Sequence, residues 1–355
     1  MQRRSFLAAS GAVVGAHLAG RAALAQQAQA KGAGAGFRQQ VLSAWGDAAK
    51  ASNGGGVRVG YDVAGTNDGI AKVVSREVDF AGTAAPMSAG RLRDRHLVQF
   101  PCMAGPVVFT ANLPGVAVDE LKLTGDAIAD LYLGRIKRWN DPKLAEHNPG
   151  LRLPDLAVTP VYRSDISGTT LLATTFLSRA SETWRDGGPR AGTVVLWPVG
   201  KGGHMNEGVA EAVGATPGAI GYVTNPFAVS KRLAAAQLRN RSGAFVKPQA
   251  ASFQAAVDAA DWGAARNFAA DMVDLDGAAA WPIMGPGFVL VPADPDAEKA
   301  GGVRNALRFF DWALDKGRDA TLRAGCAPLP DAVTKAVREA WGAVKAPDGQ
   351  PLWKG

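Results

Sequence analysis

Cysteine and histidine are scarce in this sequence of 355 residues, which has two cysteines and four histidines. Cys102 and Cys326 lack the C-x-x-C spacing of a redox motif, and the histidines are too scattered for a metal cluster. The sequence therefore predicts no zinc site, no thiol redox centre and no cofactor. Whether the two cysteines pair with each other or form two buried thiols is left open by the sequence.

Long apolar runs and a strong excess of one charge are also missing. After the first 25 residues, no segment reaches the ~18 apolar residues that a membrane-spanning helix needs. The formal net charge is +7, and acidic residues lie between the basic ones, which argues against nucleic-acid binding. A modest positive charge still favours capture of an anion.

The N-terminal segment has the features of an export signal. Paired arginines at positions 3 and 4 precede a weakly apolar stretch, and an A-x-A cleavage site ends at Ala25. We expect residues 1–25 to be a twin-arginine signal peptide and the mature protein to be periplasmic. Loss of this segment removes three arginines and no acidic residue, which leaves a net charge of +4. A membrane anchor, the alternative, would need a longer uninterrupted apolar stretch.

Glycine is abundant, with 43 residues, and it recurs where predicted strands meet predicted helices. Residues 57–63 alternate as a strand does and lead through Gly65-Thr66 into a helical pattern. This alternation predicts an α/β fold with mixed sheets flanked by helices, in which ligands bind where strand ends open into helices. Asn206-Glu207-Gly208 is expected to be a helix start capped by Asn206, and the alternative is an edge of the ligand cleft in the second lobe. Further strands are expected at 78–86, 98–100, 107–111, 158–162, 194–197, 218–223 and 288–291, and a helix capped by Thr124 within 121–139.

Two Gly-Pro pairs, Gly105-Pro106 and Gly285-Pro286, each precede a β-rich run. Because the chain is longer than one hydrophobic core usually serves, we expect two lobes. A chain that leaves the first lobe, builds the second and returns needs two crossings, and the Gly-Pro pairs are candidates for them. The predicted boundaries are 26–107 for the first part of lobe 1, 108–287 for lobe 2 and 288–355 for the second part of lobe 1.

The segment 162–170 has the composition of an anion site. Arg163 offers a planar fork of donors suited to a tetrahedral oxyanion, and Asp165 can hold that guanidinium in one pose. Hydroxyl and backbone N–H donors follow at Ser167, Gly168 and Thr169. Since helical spacing begins here, these donors should lie at a helix N-terminus, where unpaired N–H groups and the helix dipole favour an anion. A capped helix with a surface arginine is the simpler alternative.

At these residues the chain resembles the periplasmic phosphate-binding proteins of ABC phosphate importers, the PstS family. The similarity runs from about Gly32 to Trp353, and its motifs lie at 121–125, 136–142, 163–170, 206–209, 216–222, 281–283 and 328–330. The resemblance implies a two-lobe, type II-like periplasmic binding protein fold with a hinge of two crossing segments. It also implies a non-catalytic monomer that closes over inorganic phosphate and delivers it to the membrane permease subunits of an ABC importer.

The resemblance further implies which residues bind the ligand. The positions that match the family's phosphate contacts are Phe37, Thr66, Arg163, Ser167, Gly168 and Thr169, and Asp165 matches the acid that orients the arginine. Two positions depart from the pattern: Gly36 replaces a threonine, and Ala84 replaces an aspartate expected to accept a hydrogen bond from a protonated phosphate oxygen. Loss of that carboxylate predicts weaker rejection of sulfate. Thr83 is a candidate to supply part of the missing contact.

Two other functions stay open on the sequence alone. In the first alternative, the same scaffold binds another phosphorus or sulfur oxyanion. The departures from the family pattern at Gly36 and Ala84 favour this alternative. A periplasmic phosphate-ester hydrolase, from a different class, would use Ser167 or Asp165. Such a nucleophile needs an adjacent base, and His204 is the nearest candidate in a glycine-rich loop.

Overall fold

The computed structural model describes residues 28–36, 38–52 and 56–354, so the expected signal peptide and Phe37 lie outside the described residues. The strands are β1 (Ala28–Gly34), β2 (Val57–Val63), β3 (Phe80–Thr83), β4 (Leu97–Ala111), β5 (Lys122–Leu123), β6 (Thr159–Arg163), β7 (Lys201–Gly203), β8 (Ala219–Thr224), β9 (Gln237–Arg239), β10 (Phe245–Val246) and β11 (Met284–Pro292). The helices are α1 (Arg38–Ala51), α2 (Thr66–Val74), α3 (Ala89–Asp94), α4 (Gly125–Tyr132), α5 (Pro142–Ala145), α6 (Gly168–Ala180), α7 (Glu182–Gly187), α8 (Met205–Ala215), α9 (Asn225–Lys231), α10 (Ala250–Ala259), α11 (Ala297–Asp315), α12 (Arg318–Arg323) and α13 (Asp331–Ala340). Among these helices, none combines the length and the hydropathy that a bilayer crossing requires.

The strands form one large mixed sheet and one small sheet. The large sheet has eight strands in the order β2-β1-β3-β11-β4-β8-β6-β7, and the small one has the order β10-β9-β5. In the large sheet β1 runs parallel to β2 and β3, and β6 runs parallel to β7 and β8, whereas β11 and β4 run antiparallel to their neighbours. The predicted α/β fold with mixed sheets flanked by helices is confirmed.

Strand β4 joins the two halves of the large sheet. Its first part pairs with β11 and its last five residues pair with β8. The two Gly-Pro pairs lie side by side at this junction, because Gly105 pairs with Gly285 and Pro106 with Met284. The Trp281 indole N–H also donates to the Val107 carbonyl at 2.9 Å. The expected hinge of two crossing segments is therefore this antiparallel pair.

The buried side chains form two large hydrophobic clusters, one on each side of the junction. One cluster draws on residues 30–103 and 289–352, and the other on residues 104–284 together with Ala327. We call the parts of the chain around these clusters lobe 1 and lobe 2. Cys102 and Cys326 are both buried in lobe 1. The boundaries 26–107, 108–287 and 288–355 stay predictions.

Most of the expected elements are present, and one expected strand is not. Thr124 caps α4 by accepting the Ala127 N–H, and the two β-rich runs at 98–100 and 107–111 belong to the single strand β4. The strand expected at 194–197 was wrong: these residues form a loop in which Val194 and Leu196 are exposed. A four-residue apolar run is too short for its periodicity to identify a strand.

Candidate functional site

The carboxyl ends of two oppositely running sets of parallel strands, β1 to β3 from lobe 1 and β6 with β7 from lobe 2, meet at one cavity between the lobes. Its lining includes Gly36 after β1, Thr66 after β2, Ala84 after β3, Arg163 at the end of β6 and Met205 after β7. The cavity volume is about 80 Å³. Sites for drug-sized ligands measure roughly 300–1,000 Å³. The cavity therefore suits a small ion, and it lies where strand ends open into helices, as expected for α/β sheets.

Arg163 is the one described residue in the cavity lining with a permanent positive charge. Its side chain is 9% exposed, and it makes two parallel bonds to Asp165, from Nε to Oδ1 at 2.7 Å and from Nη2 to Oδ2 at 2.5 Å. A guanidinium has five N–H donors, so about three remain for a ligand. The carboxylate fixes the plane of the fork, as the sequence predicted, and presents the other edge of the guanidinium to the cavity.

Asp165 is held in its ionised form by its neighbours. Burial raises the pKa of Asp165, but the hydrogen bond and charge of Arg163 and the Met205 N–H outweigh that effect, and the net pKa is lowered. The Met205 N–H donates to Asp165 Oδ1 at 3.0 Å. Met205 adopts a left-handed backbone conformation with φ of 55°, which is uncommon for a residue with a side chain and typical of constrained sites.

Tyr222 fixes the backbone of the same segment from strand β8. Its hydroxyl accepts the Arg163 backbone N–H at 3.1 Å and lies 2.8 Å from Thr170 Oγ1. Burial is the main cause that raises the pKa of Tyr222 to about 12, so the phenol is neutral at physiological pH. Tyr222 therefore holds both the end of β6 and the start of α6 in place.

The N-terminus of α6 brings the predicted hydroxyl and backbone donors to the cavity. Ser167 Oγ accepts the N–H groups of Thr169 and Thr170 at 3.1 and 3.3 Å, which uses both of its acceptor positions. Its hydroxyl hydrogen is left to donate. The Gly168 N–H takes part in none of the hydrogen bonds among the described residues. This helix start therefore offers hydrogen-bond donors and a positive dipole end to a ligand.

A second helix N-terminus faces the same cavity from lobe 1. Helix α2 begins at Thr66, and its N-cap residue, Gly65, has no side chain with which to cap it. In the described part of the chain, neither the Thr66 N–H nor its hydroxyl has a hydrogen-bond partner. Unpaired N–H groups at a helix start are favourable sites for an anion.

The two departures from the family pattern both lie in the cavity wall. A Cβ at Gly168 would lie 2.6 Å from the Ala84 Cβ, so these two residues bring the lobes into close approach. A Cβ at Gly36 would lie 2.9 Å from Val63 Cγ1, so a threonine there needs a shift of that valine. Thr83 does not line the cavity, and its hydroxyl donates to the Ala85 carbonyl at 2.9 Å.

The structure thus brings most of the predicted site residues together. The predicted residues that line the cavity are Gly36, Thr66, Ala84, Arg163, Asp165, Ser167, Gly168 and Thr169. Phe37 lies outside the described residues. Sequence reasoning missed Gln40 and Met205. The helix cap expected at Asn206 was wrong, whereas the alternative, a position at the cleft edge, agrees with its place in the cavity lining. His204 holds the N-cap position of α8, while the Asn206 side chain accepts the Thr224 N–H at 3.2 Å.

The arrangement around Ser167 differs from that of an activated nucleophile. The Ser167 hydroxyl oxygen is occupied by two backbone N–H groups, and His204 is an exposed residue outside the cavity lining. Both carboxylate oxygens of Asp165 accept hydrogen bonds from Arg163. Within the described ranges, no cluster of three or more histidine, cysteine or acidic residues is arranged to hold a metal ion.

Comparison with known proteins agrees with this geometry. A family model described as the PBP superfamily domain matches residues 19–295. The phosphate-binding protein PstS of Pasteurella multocida is 38% identical over 334 residues, 94% of this chain and 96% of the relative. PstS of Haemophilus influenzae is 35% identical, over 89% of this chain and 93% of its own length.

A solved structure shows the same fold at lower identity. A high-affinity periplasmic phosphate-binding protein, solved with bound phosphate, superposes with a TM-score of 0.68 at 22% identity, over 88% of this chain and 93% of that one. The shared fold alone does not assign the chain to a family, but the coverage and identity of the PstS matches do. The chain belongs to the PstS family of phosphate-binding proteins.

Proposed function

We propose that this protein captures inorganic phosphate in the cavity between its lobes and delivers it to an ABC importer. The observation that carries the proposal is the cavity itself: Arg163, oriented by Asp165, faces two helix N-termini across a space that fits a small ion. These groups would replace the water shell of the anion. The names of the PstS relatives and the phosphate in the related structure support the choice of ligand.

Binding without chemistry is the mechanism that the site supports. The Arg163 charge compensates the anion, and Ser167, Thr66 and the Gly168 N–H supply directed donors. Closure of the lobes around the crossing segments would exclude water and strengthen each of these interactions. The Ser167 and Asp165 contacts described above favour this mechanism over ester hydrolysis.

The cellular setting is part of the proposal. The twin-arginine motif, the A-x-A site ending at Ala25 and the periplasmic role of the family support export to the periplasm and cleavage near residue 25. There the liganded protein would act as a monomer and dock on the permease subunits of the importer. No nucleic acid, metal or cofactor enters this mechanism.

Isothermal titration of the mature protein, residues 26–355, tests the proposal. We expect saturable binding of one phosphate per chain, with no turnover of a chromogenic phosphate ester. Absence of phosphate binding would remove the proposed function, and ester turnover that depends on Ser167 would favour the hydrolase instead.

A further inference from the structure

Met205 is the one methionine outside the hydrophobic core in the part of the chain that the structure describes. The others there are buried, with at most 5% of their surface exposed: Met87, Met103, Met272 and Met284. Met205 is only partly buried, and it lines the cavity between the lobes. Since oxidation of a side chain depends on its exposure, the Met205 thioether is the methionine sulfur that a small dissolved oxidant reaches first.

The Met205 side chain extends from lobe 2 towards the start of α2 in lobe 1. A Cβ at Gly65, the N-cap residue of α2, would lie 3.8 Å from the Met205 Cε. The next residue, Thr66, lines the same cavity, and among the described residues its N–H and hydroxyl have no hydrogen-bond partner. The end of the Met205 side chain therefore lies beside donors that the proposed function assigns to the bound anion.

Oxidation of this sulfur would change the chemistry of the cavity wall. In the reaction with hydrogen peroxide, a sulfur lone pair attacks one peroxide oxygen, the O–O bond breaks and an S–O bond forms. The proton of the transferred oxygen passes to the leaving hydroxide, which becomes water. The sulfur loses two electrons and the peroxide gains them. The product, a sulfoxide, carries a polar oxygen in place of the weakly accepting thioether.

We propose that Met205 is a reversible oxidation site at which conversion to the sulfoxide weakens anion binding. The proposal rests on the proposed function, because it concerns the same anion in the same cavity. The sulfoxide oxygen accepts hydrogen bonds from the Thr66 N–H or hydroxyl and so competes with the anion for them. It also places the negative end of a dipole beside the anion, in a space of about 80 Å³. Sulfoxide reductases reverse the modification.

Peroxide treatment of three forms of the mature protein tests this inference. The forms are the wild type, Met205→Leu and the control Met87→Leu. Met87 is the most exposed of the buried methionines, at 5%, and it is not part of the cavity lining. Replacement of methionine by leucine nearly conserves volume and is well tolerated.

Each form is titrated with phosphate before and after exposure to hydrogen peroxide, and peptide mass spectrometry locates the added oxygen. The readout is the ratio of the two dissociation constants of the same form. An effect of the substitution itself on affinity therefore cancels. Circular dichroism before and after treatment establishes that each form is folded.

In the wild type, Met205 should gain oxygen before any other methionine, and phosphate affinity should fall about 5- to 150-fold, as for an unsatisfied acceptor that faces the anion. Met87→Leu should lose affinity to the same extent. Met205→Leu should stay within about twofold of its own untreated affinity. This variant keeps Cys102 and Cys326, which are buried, so it also controls for oxidation of the thiols. Methionine sulfoxide reductases A and B should restore the affinity of the oxidised wild type.

Four results would overturn the inference and leave the proposed function intact. They are oxidation of Met205 no faster than that of the buried methionines, full oxidation of Met205 with unchanged affinity, an equal loss of affinity in treated Met205→Leu, and a loss in the wild type that the reductases do not reverse. If Met205→Leu does not fold, the peptide map and the reductase step on the wild type decide. A wild type that binds no phosphate before treatment would instead refute the proposed function.

Discussion

Gly168→Ala is the substitution that most directly probes how the two lobes meet. The added Cβ would lie 2.6 Å from the Ala84 Cβ on the opposite lobe, whereas carbon atoms in contact prefer about 3.5–4.0 Å. The lobes must therefore separate by about 1 Å at this point, or Ala84 must shift by as much. Overpacking of this kind costs about 1–3 kcal/mol.

That cost should fall on the liganded form rather than on folding. When the lobes move apart, the Cβ at position 168 no longer meets Ala84, so the ligand-free protein can relax the contact. We expect phosphate affinity to fall by about 5- to 150-fold, which is the same energy expressed as a ratio of dissociation constants. The thermal midpoint of the ligand-free protein should not fall.

Gly214→Ala is the matched control. Gly214 lies in helix α8, and a Cβ there would meet nothing within 4 Å. It should bind phosphate as the wild type does and should be slightly more stable, since alanine is the better helix former. Isothermal titration and thermal unfolding measure both effects. Wild-type affinity in Gly168→Ala would refute the proposed contact between the lobes in the liganded form.

Three further predictions concern the charge, the pH dependence and the core. Arg163→Ala should weaken phosphate binding by about 2–5 kcal/mol in titration, because it removes a buried charged partner, and unchanged affinity would contradict the site. The pKa of Asp165 lies below its ordinary value of 3.8, so its carboxylate stabilises the fold at higher pH and loses that effect as pH falls through the lowered pKa. The difference in unfolding free energy between the wild type and Asp165→Asn should thus be constant from about pH 5 to 8 and shrink only in acid, and a difference that shrinks toward pH 8 would be inconsistent with this pair. Phe310→Ala should cost about 3–5 kcal/mol in urea unfolding, since this fully buried ring packs edge-on against Phe80 and Phe100; a cost below about 1 kcal/mol would show that the core relaxes around the gap.

The part of the site that side-chain chemistry alone predicts is contiguous in the chain, whereas Gly36, Thr66 and Ala84 were predicted through the family resemblance. Arg163, Asp165 and Ser167 fall within five residues, and their roles follow from side-chain chemistry and the helix that begins at Gly168. The Gly-Pro pairs at 105 and 285 were recognisable because both precede β-rich runs. The structure pairs them directly.

The part of the site that the sequence did not predict depends on contacts between residues far apart in the chain. Tyr222 reaches Arg163 across 59 positions of sequence because β8 lies beside β6 in the sheet. Met205, which has a left-handed backbone, donates its N–H to Asp165 across 40 positions of sequence. Gln40 lines the cavity, and no motif around position 40 indicates this. A single sequence does not encode these neighbours in any short motif.

A crystal structure of the mature protein with phosphate tests the central claim most directly. The account predicts one phosphate in the cavity between the lobes, with its oxygens bonded to the free edge of the Arg163 guanidinium, the Gly168 N–H and the start of α2 at Thr66. Phosphate bound elsewhere, or an Arg163 side chain turned out to solvent with the cavity empty at saturating phosphate, would contradict it.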